Sequence, residues 1–500
     1  MTEPFQLFHG DNRAILPTLP DASHDSCVCD PPYELGFMGK KWDSTGIAYS
    51  VELWREVFRV LKPGAHLVAF GGTRTYHRMA CAIEDAGFEI RDQLAWCYGS
   101  GFPKSMDVAK AIDKATVRDL KTGDLVFGKD TAAVYAITAA IRAARDAAGK
   151  TNAQIDALFG LNGMAGHWTS TTSQPLVSQW EQWQQLKTFL AAGDAIDAEV
   201  WRLNGRKGQP GEAFALREVV GEHTSPTPGL AGERFSAKSS AITAPHTEAA
   251  QEWQGWGTAL KPAWEPIVLA RKPLPGTIAE NVIAFGTGAL NIDATRVPFA
   301  SAADLEATKG KNQHGDFGSG PTQNEIFGKF EKARENYEAP GRWPANIVTD
   351  GSGEVIALFP DDGEQTAARF FYSAKADADD REAGLAEAQI ALRSSGQLTD
   401  RKDGSAGLQS PRAGAGRNSE RRNHHPTVKP TALMLWLTKL VTPRGGRVLD
   451  CFMGSGSTGR GCALGGFQFT GIDRDADYLP IARARIAEAQ GPLFVNPPAA

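Results

Sequence analysis

Apolar and polar positions alternate in a way that predicts strand and helix in turn along the first quarter of the chain. Phe5-Gln-Leu-Phe-His-Gly10-Asp11 reads as a strand ending in a turn with an acidic residue, and Asn12 to Leu19 as a short helix. Ser26-Cys-Val-Cys-Asp30 reads as a short buried strand. The Pro31-Pro32 pair that follows cannot continue a ladder, so this strand should stop at Asp30. Gly36 to Asp43 is a Gly-rich, mobile loop. Val51 to Leu61 carries apolar residues at helical spacing and ends at Pro63-Gly64. Ala65 to Phe70 is a buried strand, Thr75 to Ala86 a helix stopped by Gly87, and Phe88 to Tyr98 another strand. Such alternation predicts an α/β fold with a doubly wound sheet.

After Gly99-Ser-Gly-Phe-Pro the pattern changes. Met106 to Gly149 is Ala-rich and predicted helical. Thr151-Asn-Ala-Gln154 fits a capping box opening a helix through Phe159. The turn Gly160-Leu-Asn-Gly163 leads to Met164–Trp168, and Val177 to Leu190 is a further helix. Helix, Gly-containing turn, helix resembles the helix-turn-helix of phage repressors. A DNA contact and a helical insert that braces the core are the two readings of it. Residues 204–262, rich in Gly, Pro, Ser and Thr, read as linker and loops. Trp264 to Lys272 reads as a strand returning to the first sheet. Residues 276–420 are irregular and polar, with short strand candidates at Ala345–Thr349 and Arg369–Ser373. The α/β pattern then resumes: an apolar helix from Thr431 to Val441, a strand from Arg447 to Phe452, a glycine-rich turn into a helix, and a strand from Phe467 to Asp473.

Composition narrows the class. The 500 residues, 42% hydrophobic and 22% charged, are ordinary for a globular protein and long enough for about three domains. No run of about 18 apolar residues occurs, so no membrane span is expected. No secretory signal is visible in Met1 to Gly10, and a cytoplasmic location is expected. The six cysteines lack Cys-x-x-Cys spacing and read as reduced core thiols, with no zinc framework. A net charge of −5 argues against purely electrostatic nucleic-acid binding. Between Arg401 and Lys429, however, seven basic residues face two acidic ones, a candidate phosphate-contacting patch.

Two stretches carry candidate chemistry. Asp30-Pro31-Pro32-Tyr33 forms a rigid loop at the C-terminal end of a strand, where ligands sit in open α/β sheets. Gly454-Ser455-Gly456-Ser-Thr-Gly459 follows a strand, opens a helix, and has Asp473 at the end of the next strand, 19 residues after Gly454. That context predicts a nucleotide-like cofactor, with Asp473 accepting from ribose hydroxyls. Asp450, within the same loop as Phe452, suits a cationic ligand better than a pyrophosphate.

Asp30-Pro-Pro-Tyr33 closely resembles the catalytic motif of the amino-group DNA methyltransferases, and Asp450-x-Phe452-x-Gly454-Ser-Gly456 resembles their cofactor loop. His425-Pro-Thr427-Val-Lys429-Pro430 is similar to the segment preceding that loop. The catalytic motif comes first and the cofactor loop last, which resembles the circularly permuted β group. Arg342-Trp-Pro-Ala-Asn346 and Phe370 to Lys375 look like phage and prophage members. The resemblance implies a doubly wound mixed sheet of the S-adenosylmethionine methyltransferase, Rossmann-like type. Residues 1–105 become the catalytic half, 106–257 a helical insert, 258–275 a returning strand, 276–422 a target-recognition region and 423–500 the cofactor half. It implies S-adenosylmethionine as cofactor, held by Asp11, Asp30, Thr427, Lys429, Asp450, Phe452, Gly454, Ser455, Gly456 and Asp473, with no metal.

The implied activity is site-specific methylation of adenine N6 in double-stranded DNA. Asp30 and the Pro31 carbonyl would accept the hydrogens of the target amine, and Tyr33 would stack on the flipped base. Phe37 and Trp42 either close over it or simply pack the loop. The family leans to adenine when Asp stands first and to cytosine N4 when Ser does. Methylation of RNA or a protein glutamine, a DNA-binding regulator with a silent core, and a nicotinamide oxidoreductase are the rivals. A homodimer and a cognate restriction endonuclease are further partners that the resemblance leaves open.

Overall fold

The computed structural model describes residues 4–35, 43–99, 101, 105–118, 125–127, 131–172, 175–201, 203, 212–224, 239–313, 340–361, 366–374, 378–392 and 421–491. The chain divides into two compact units, residues 1–101 with 263–500, and residues 102–262. In chain order the strands are β1 (Phe5–His9), β2 (His24–Cys29), β3 (Leu61–Phe70), β4 (Glu89–Cys97), β5 (Thr116–Arg118), β6 (Leu125–Phe127), β7 (Val219–Thr224), β8 (Ser239–Thr243), β9 (Trp264–Arg271), β10 (Ile347–Thr349), β11 (Tyr372–Ser373), β12 (Arg447–Asp450) and β13 (Gln468–Asp473).

The larger unit is built on one mixed sheet, ordered β1-β13-β12-β2-β3-β9-β4-β10-β11 among the described residues. Only β9 runs antiparallel, between β3 and β4. The doubly wound α/β architecture expected from the sequence is therefore observed. The two strands nearest the C-terminus lie between β1 and β2, so distant segments share one parallel core.

β2 is buried along its whole length, and its side chains alternate between two apolar layers. Cys27 and Cys29 join one layer with Leu53, Trp54 and Val57 from the helix Val51–Val60. Val28 joins the other with Leu433, Leu437 and Phe469, beneath the helix Thr431–Val441. Helices thus cover both faces, as a sheet of continuous apolar strands requires. Ser50 caps Val51–Val60 by accepting from the Leu53 N–H at 3.2 Å.

The helix ends at Val60, and β3 begins at Leu61, before the expected stop at Pro63-Gly64. The ladder tolerates Pro63 because the β2–β3 register shifts between His24 and Ser26, which absorbs the missing donor in an irregularity. β10 and β11 extend the sheet from within the segment read as irregular, which also holds the helices Ile278–Phe285 and Ala302–Gln313. Both strands lie within the short candidates expected at Ala345–Thr349 and Arg369–Ser373. No helix among the described residues is long and apolar enough to cross a membrane.

The smaller unit departs from an all-helical reading of Met106 to Gly149. The hairpin β5–β6 separates the helices Val108–Ala115 and Thr131–Ala147. The Thr151/Gln154 capping box is present, and Gly160 ends its helix in the left-handed region. Ile155, Ala165 and Trp168 from the two helices around that turn close a core with Ile137, Ile141, Trp183 and Leu186. Part of the stretch read as linker is also folded: β7 pairs with β8. Arg217 donates to the fully buried Asp113 at 2.5 Å, and the His246 and Thr247 backbone N–H groups donate to the same carboxylate.

Candidate active site

Four adjacent parallel strands end on acidic residues. β1 leads to Asp11, β13 ends at Asp473, β12 at Asp450, and β2 is followed by Asp30. The sheet order places these ends side by side. A row of acidic side chains at these strand ends offers hydrogen-bond acceptors suited to a cation or to hydroxyl donors, and burial raises the carboxyls of Asp30, Asp450 and Asp473.

Around Asp30 the geometry is close. Lys429 Nζ lies 2.7 Å from Asp30 Oδ2 and 3.4 Å from Glu265 Oε2. The same ammonium donates to the Tyr33 hydroxyl at 3.1 Å, and that hydroxyl donates to Glu265 Oε2 at 2.6 Å. Asp30 Oδ1 is buried with no hydrogen-bond partner among the described residues. Burial pushes the Asp30 carboxyl above its ordinary range, against the pull of Lys429. Burial opposes the charge on Lys429, yet the Asp30 and Glu265 carboxylates hold its ammonium above the usual range. Burial, with Asp30 and Glu265 beside it, pushes the Tyr33 hydroxyl well up, so it stays protonated.

The loop after Asp30 is held from several sides. Pro31 is buried, and Pro32 and Tyr33 are half-buried. Thr75 Oγ1 donates to the Tyr33 carbonyl at 2.7 Å. Glu34 takes a positive φ of 54° and accepts from the Gly46 N–H at 2.8 Å, joining the two ends of the Gly-rich loop. Gly36 to Trp42, including Phe37 and Trp42, lie outside the described residues. So does the basic stretch from Arg401 to Glu420.

In the glycine-rich loop, Asp450 is buried and satisfies its own chain. Its Oδ1 accepts from the Phe452 N–H at 3.0 Å and its Oδ2 from the Thr458 hydroxyl at 2.6 Å. Burial raises this carboxyl well above its ordinary range. Asp473 Oδ2 accepts from the Gly454 N–H at 2.7 Å, tying the loop to the end of β13. Phe452 tilts against Trp54, with ring centroids 6.3 Å apart. Ser455 is buried, and its carbonyl accepts from the fully buried Arg485 at 2.9 Å. The glycines answer to protein neighbours. A Cβ on Gly456 (φ +79°) would meet Ala482 at 2.9 Å, and one on Gly454 (φ +52°) would meet His425 Nε2 at 2.7 Å.

The segment His425–Lys429 links the two halves of the site: His425 lies against Gly454, while Lys429 grips Asp30. Burial pushes the His425 imidazole down to about 3, so it is neutral. Its Nδ1 bonds the Thr427 carbonyl at 3.0 Å, whereas the Thr427 residue itself is exposed. Asp11 caps its helix and pairs with Arg13 at 2.6 Å; hydrogen bonding to Arg13 holds its carboxyl down at about 2. The structure thus gathers Asp30, Tyr33 and Lys429 in one cluster. It places Asp450, Phe452, Gly454, Ser455 and Gly456 in one loop at the neighbouring strand ends, tied to Asp473 at the end of β13. Glu265 was not among the expected residues. Its signal was an acid followed by Pro266 inside an otherwise apolar strand.

Comparison with known proteins follows the same lines. A family described as DNA methylase (N6_N4_Mtase) matches residues 24–185 and 248–484. The Type II methyltransferase M2.DpnII of Streptococcus pneumoniae is 44% identical over 62 residues, 12% of this chain and 23% of that protein. The Type II methyltransferase M.ScaI of Streptomyces caespitosus is 40% identical over 79 residues, 16% of this chain and 26% of that one. The chain spans about a quarter of the length of these curated relatives. The solved M1.HpyAVI–SAM complex aligns over 96% of this chain and 98% of its own, at 11% identity and a TM-score of 0.32.

Proposed function

This chain belongs to the N6/N4 DNA methylase family, and on that footing we propose that it transfers a methyl group from S-adenosylmethionine to the exocyclic N6 of a flipped adenine in double-stranded DNA. The observation that carries the reading is Asp30: one carboxylate oxygen is held by Lys429, and the other is buried with no partner among the described residues. A buried acceptor without a donor is costly, and it marks a place where a ligand donor belongs.

An exocyclic amine is a poor nucleophile because its lone pair is delocalised into the ring. Asp30 Oδ1 and the Pro31 carbonyl would each accept one amine hydrogen, turning the nitrogen toward tetrahedral geometry. The raised Asp30 carboxyl suits it to take the proton that the amine loses at Oδ1. Tyr33, fixed through its hydroxyl, would support the extruded base. The donor set fits the cofactor. Asp11, Asp473 and the loop Asp450–Gly456 line the rim as carboxylates and backbone, which suits a cationic sulfonium and ribose hydroxyls and repels a pyrophosphate. In this arrangement Asp450 acts by holding the loop's shape, since both its oxygens already accept hydrogen bonds. His425 and Lys429 connect the loop to the base site. When bound, the cofactor supplies an already activated methyl group.

The circularly permuted β group is supported by β12 and β13 lying between β1 and β2. We assign residues 276–422 to target recognition, supported by Trp343, 66% exposed beneath the Arg296 guanidinium, a pair suited to base stacking. Kinship to Type II methyltransferases supports a role in restriction–modification. Cytosine N4 is the second reading, because it offers the same amine to the same acceptors; Asp at position 30 favours adenine. The test is incubation with unmethylated genomic DNA and S-adenosylmethionine, then hydrolysis to nucleosides, mass spectrometry and methylation-aware sequencing. N6-methyladenine is expected. N4-methylcytosine overturns the base assignment, and no methylated nucleoside overturns the activity.

A further inference from the structure

We propose that Glu265 is a positioning residue of this site, holding the Tyr33 ring and the Lys429 ammonium in the arrangement that leaves one Asp30 oxygen free. The inference rests on the proposed methyl transfer and adds a residue to it that motif reading did not supply. Glu265 stands near the start of β9, the one antiparallel strand of the sheet among the described residues, opposite Trp96 of β4. Its Oε2 accepts the Tyr33 hydroxyl at 2.6 Å and faces Lys429 Nζ at 3.4 Å. Its side chain is 18% exposed, the same as that of Asp30, and that of Lys429 is 7% exposed. Two carboxylates therefore share one ammonium in a partly dehydrated cluster.

The geometry separates the two acids by task. Without Glu265, the Tyr33 hydroxyl loses its acceptor and would turn to the nearest remaining one. Asp30 Oδ2 lies beside the Lys429 ammonium that already contacts that hydroxyl. Lys429, with one carboxylate instead of two, would bind Asp30 alone. Both changes crowd Asp30 Oδ2 with internal contacts and turn the carboxylate, so that Oδ1 is no longer aimed at an incoming amine. With Glu265 present, the tyrosine hydroxyl and half of the lysine charge are taken up elsewhere. A half-buried acid with such partners is unexpected in an apolar strand unless its charge is used.

The titratable groups facing Asp30 are Lys429 before the helix Thr431–Val441, Glu265 on β9, Tyr33 on its own loop and Asp450 at the end of β12. Tyr98, just past β4, faces Glu265 and Lys429. Among them, Glu265 raises the Asp30 carboxyl and Lys429 lowers it. Glu265→Gln keeps an oxygen for the Tyr33 hydroxyl and removes only the charge, while Glu265→Ala removes both.

The experiment measures methyl transfer from tritiated S-adenosylmethionine to unmethylated genomic DNA across pH, with cofactor affinity followed by calorimetry. Glu265→Ala should lower kcat by about 10-fold or more, as lost positioning does, with cofactor affinity unchanged. Glu265→Gln should keep most of the plateau rate and move the acid limb of the profile down by about one pH unit, the size expected for a removed neighbouring charge. A purely structural glutamate would leave that limb in place. If Glu265→Ala fails to fold, Glu265→Gln, close to isosteric, still decides the matter. An active wild type with an unmoved acid limb in Glu265→Gln overturns this inference alone. A wild type that methylates no DNA overturns it together with the reading it rests on.

Discussion

Replacing Lys429 by methionine removes the ammonium between two carboxylates while nearly conserving side-chain volume. Lys429 Nζ stands 2.7 Å from Asp30 and 3.4 Å from Glu265. At an effective dielectric near 20, a pair at such a separation gains about 6 kcal/mol, most of it offset by the desolvation of the two charges. Breaking the pair leaves uncompensated buried charge, so the variant should lose about 3–5 kcal/mol at neutral pH. The loss should depend on pH with a definite sign. Asp30 is already raised above its ordinary range by burial, and losing Lys429 raises it further. A carboxyl whose folded-state pKa exceeds its unfolded value favours the folded state when protonated, and stability is lost as pH rises through the folded-state pKa. The deficit of Lys429→Met should therefore be small near about pH 5 and largest near about pH 8. Urea unfolding of both proteins at the two pH values, followed by circular dichroism, measures it. Equal stability at the higher pH, or a deficit that does not change with pH, would refute the account of Asp30 as a buried acid balanced by Lys429.

Other consequences can be checked separately. Asp30→Ala should keep S-adenosylmethionine binding by calorimetry and lose methyl transfer by about 100-fold or more, the usual range for an acid–base group; near wild-type turnover would remove its assigned role. Gly456→Ala should destabilise by about 1–3 kcal/mol in thermal or urea unfolding, because the new Cβ meets Ala482 at 2.9 Å and φ is +79°. Asp113→Ala should cost about 3–5 kcal/mol by leaving Arg217 unpaired in the smaller unit. Despite burial, hydrogen bonds from His246, Thr247 and Arg217 lower the Asp113 carboxyl. Its contribution is therefore present above the unfolded pKa and lost as pH falls through the folded one, visible as a stability gap between wild type and variant that closes at acid pH.

Much of the larger unit was legible in one dimension. Residues such as Val448-Leu449 and Cys27-Val28-Cys29 are short apolar runs bounded by turn formers, and each became a buried strand where it was expected. Local chemistry carried those elements: a proline pair that ends a strand, a serine that caps a helix, a glycine that turns left-handed. Asp30 and the glycine loop stood out because their sequence context is itself the structural constraint. The strands β10 and β11 fall on the short apolar candidates at Ala345–Thr349 and Arg369–Ser373, whereas the hairpin β5–β6 did not stand out, since three residues cannot display a period.

Tertiary structure alone set which groups each carboxylate meets. Asp450 reads in sequence as a ligand for a cation, yet its oxygens close on Phe452 and Thr458 of its own loop. Glu265 is an ordinary acid 235 positions from Asp30 in the chain, and only the antiparallel insertion of β9 beside β3 brings it to Tyr33 and Lys429. The physical reason is range. Backbone preferences and apolar periodicity act over a few residues, so the sequence by itself determined where strands and turns form. Coulomb forces and desolvation depend on distance in space, so which charges are buried together, and which oxygen is left free, was settled only when the sheet assembled.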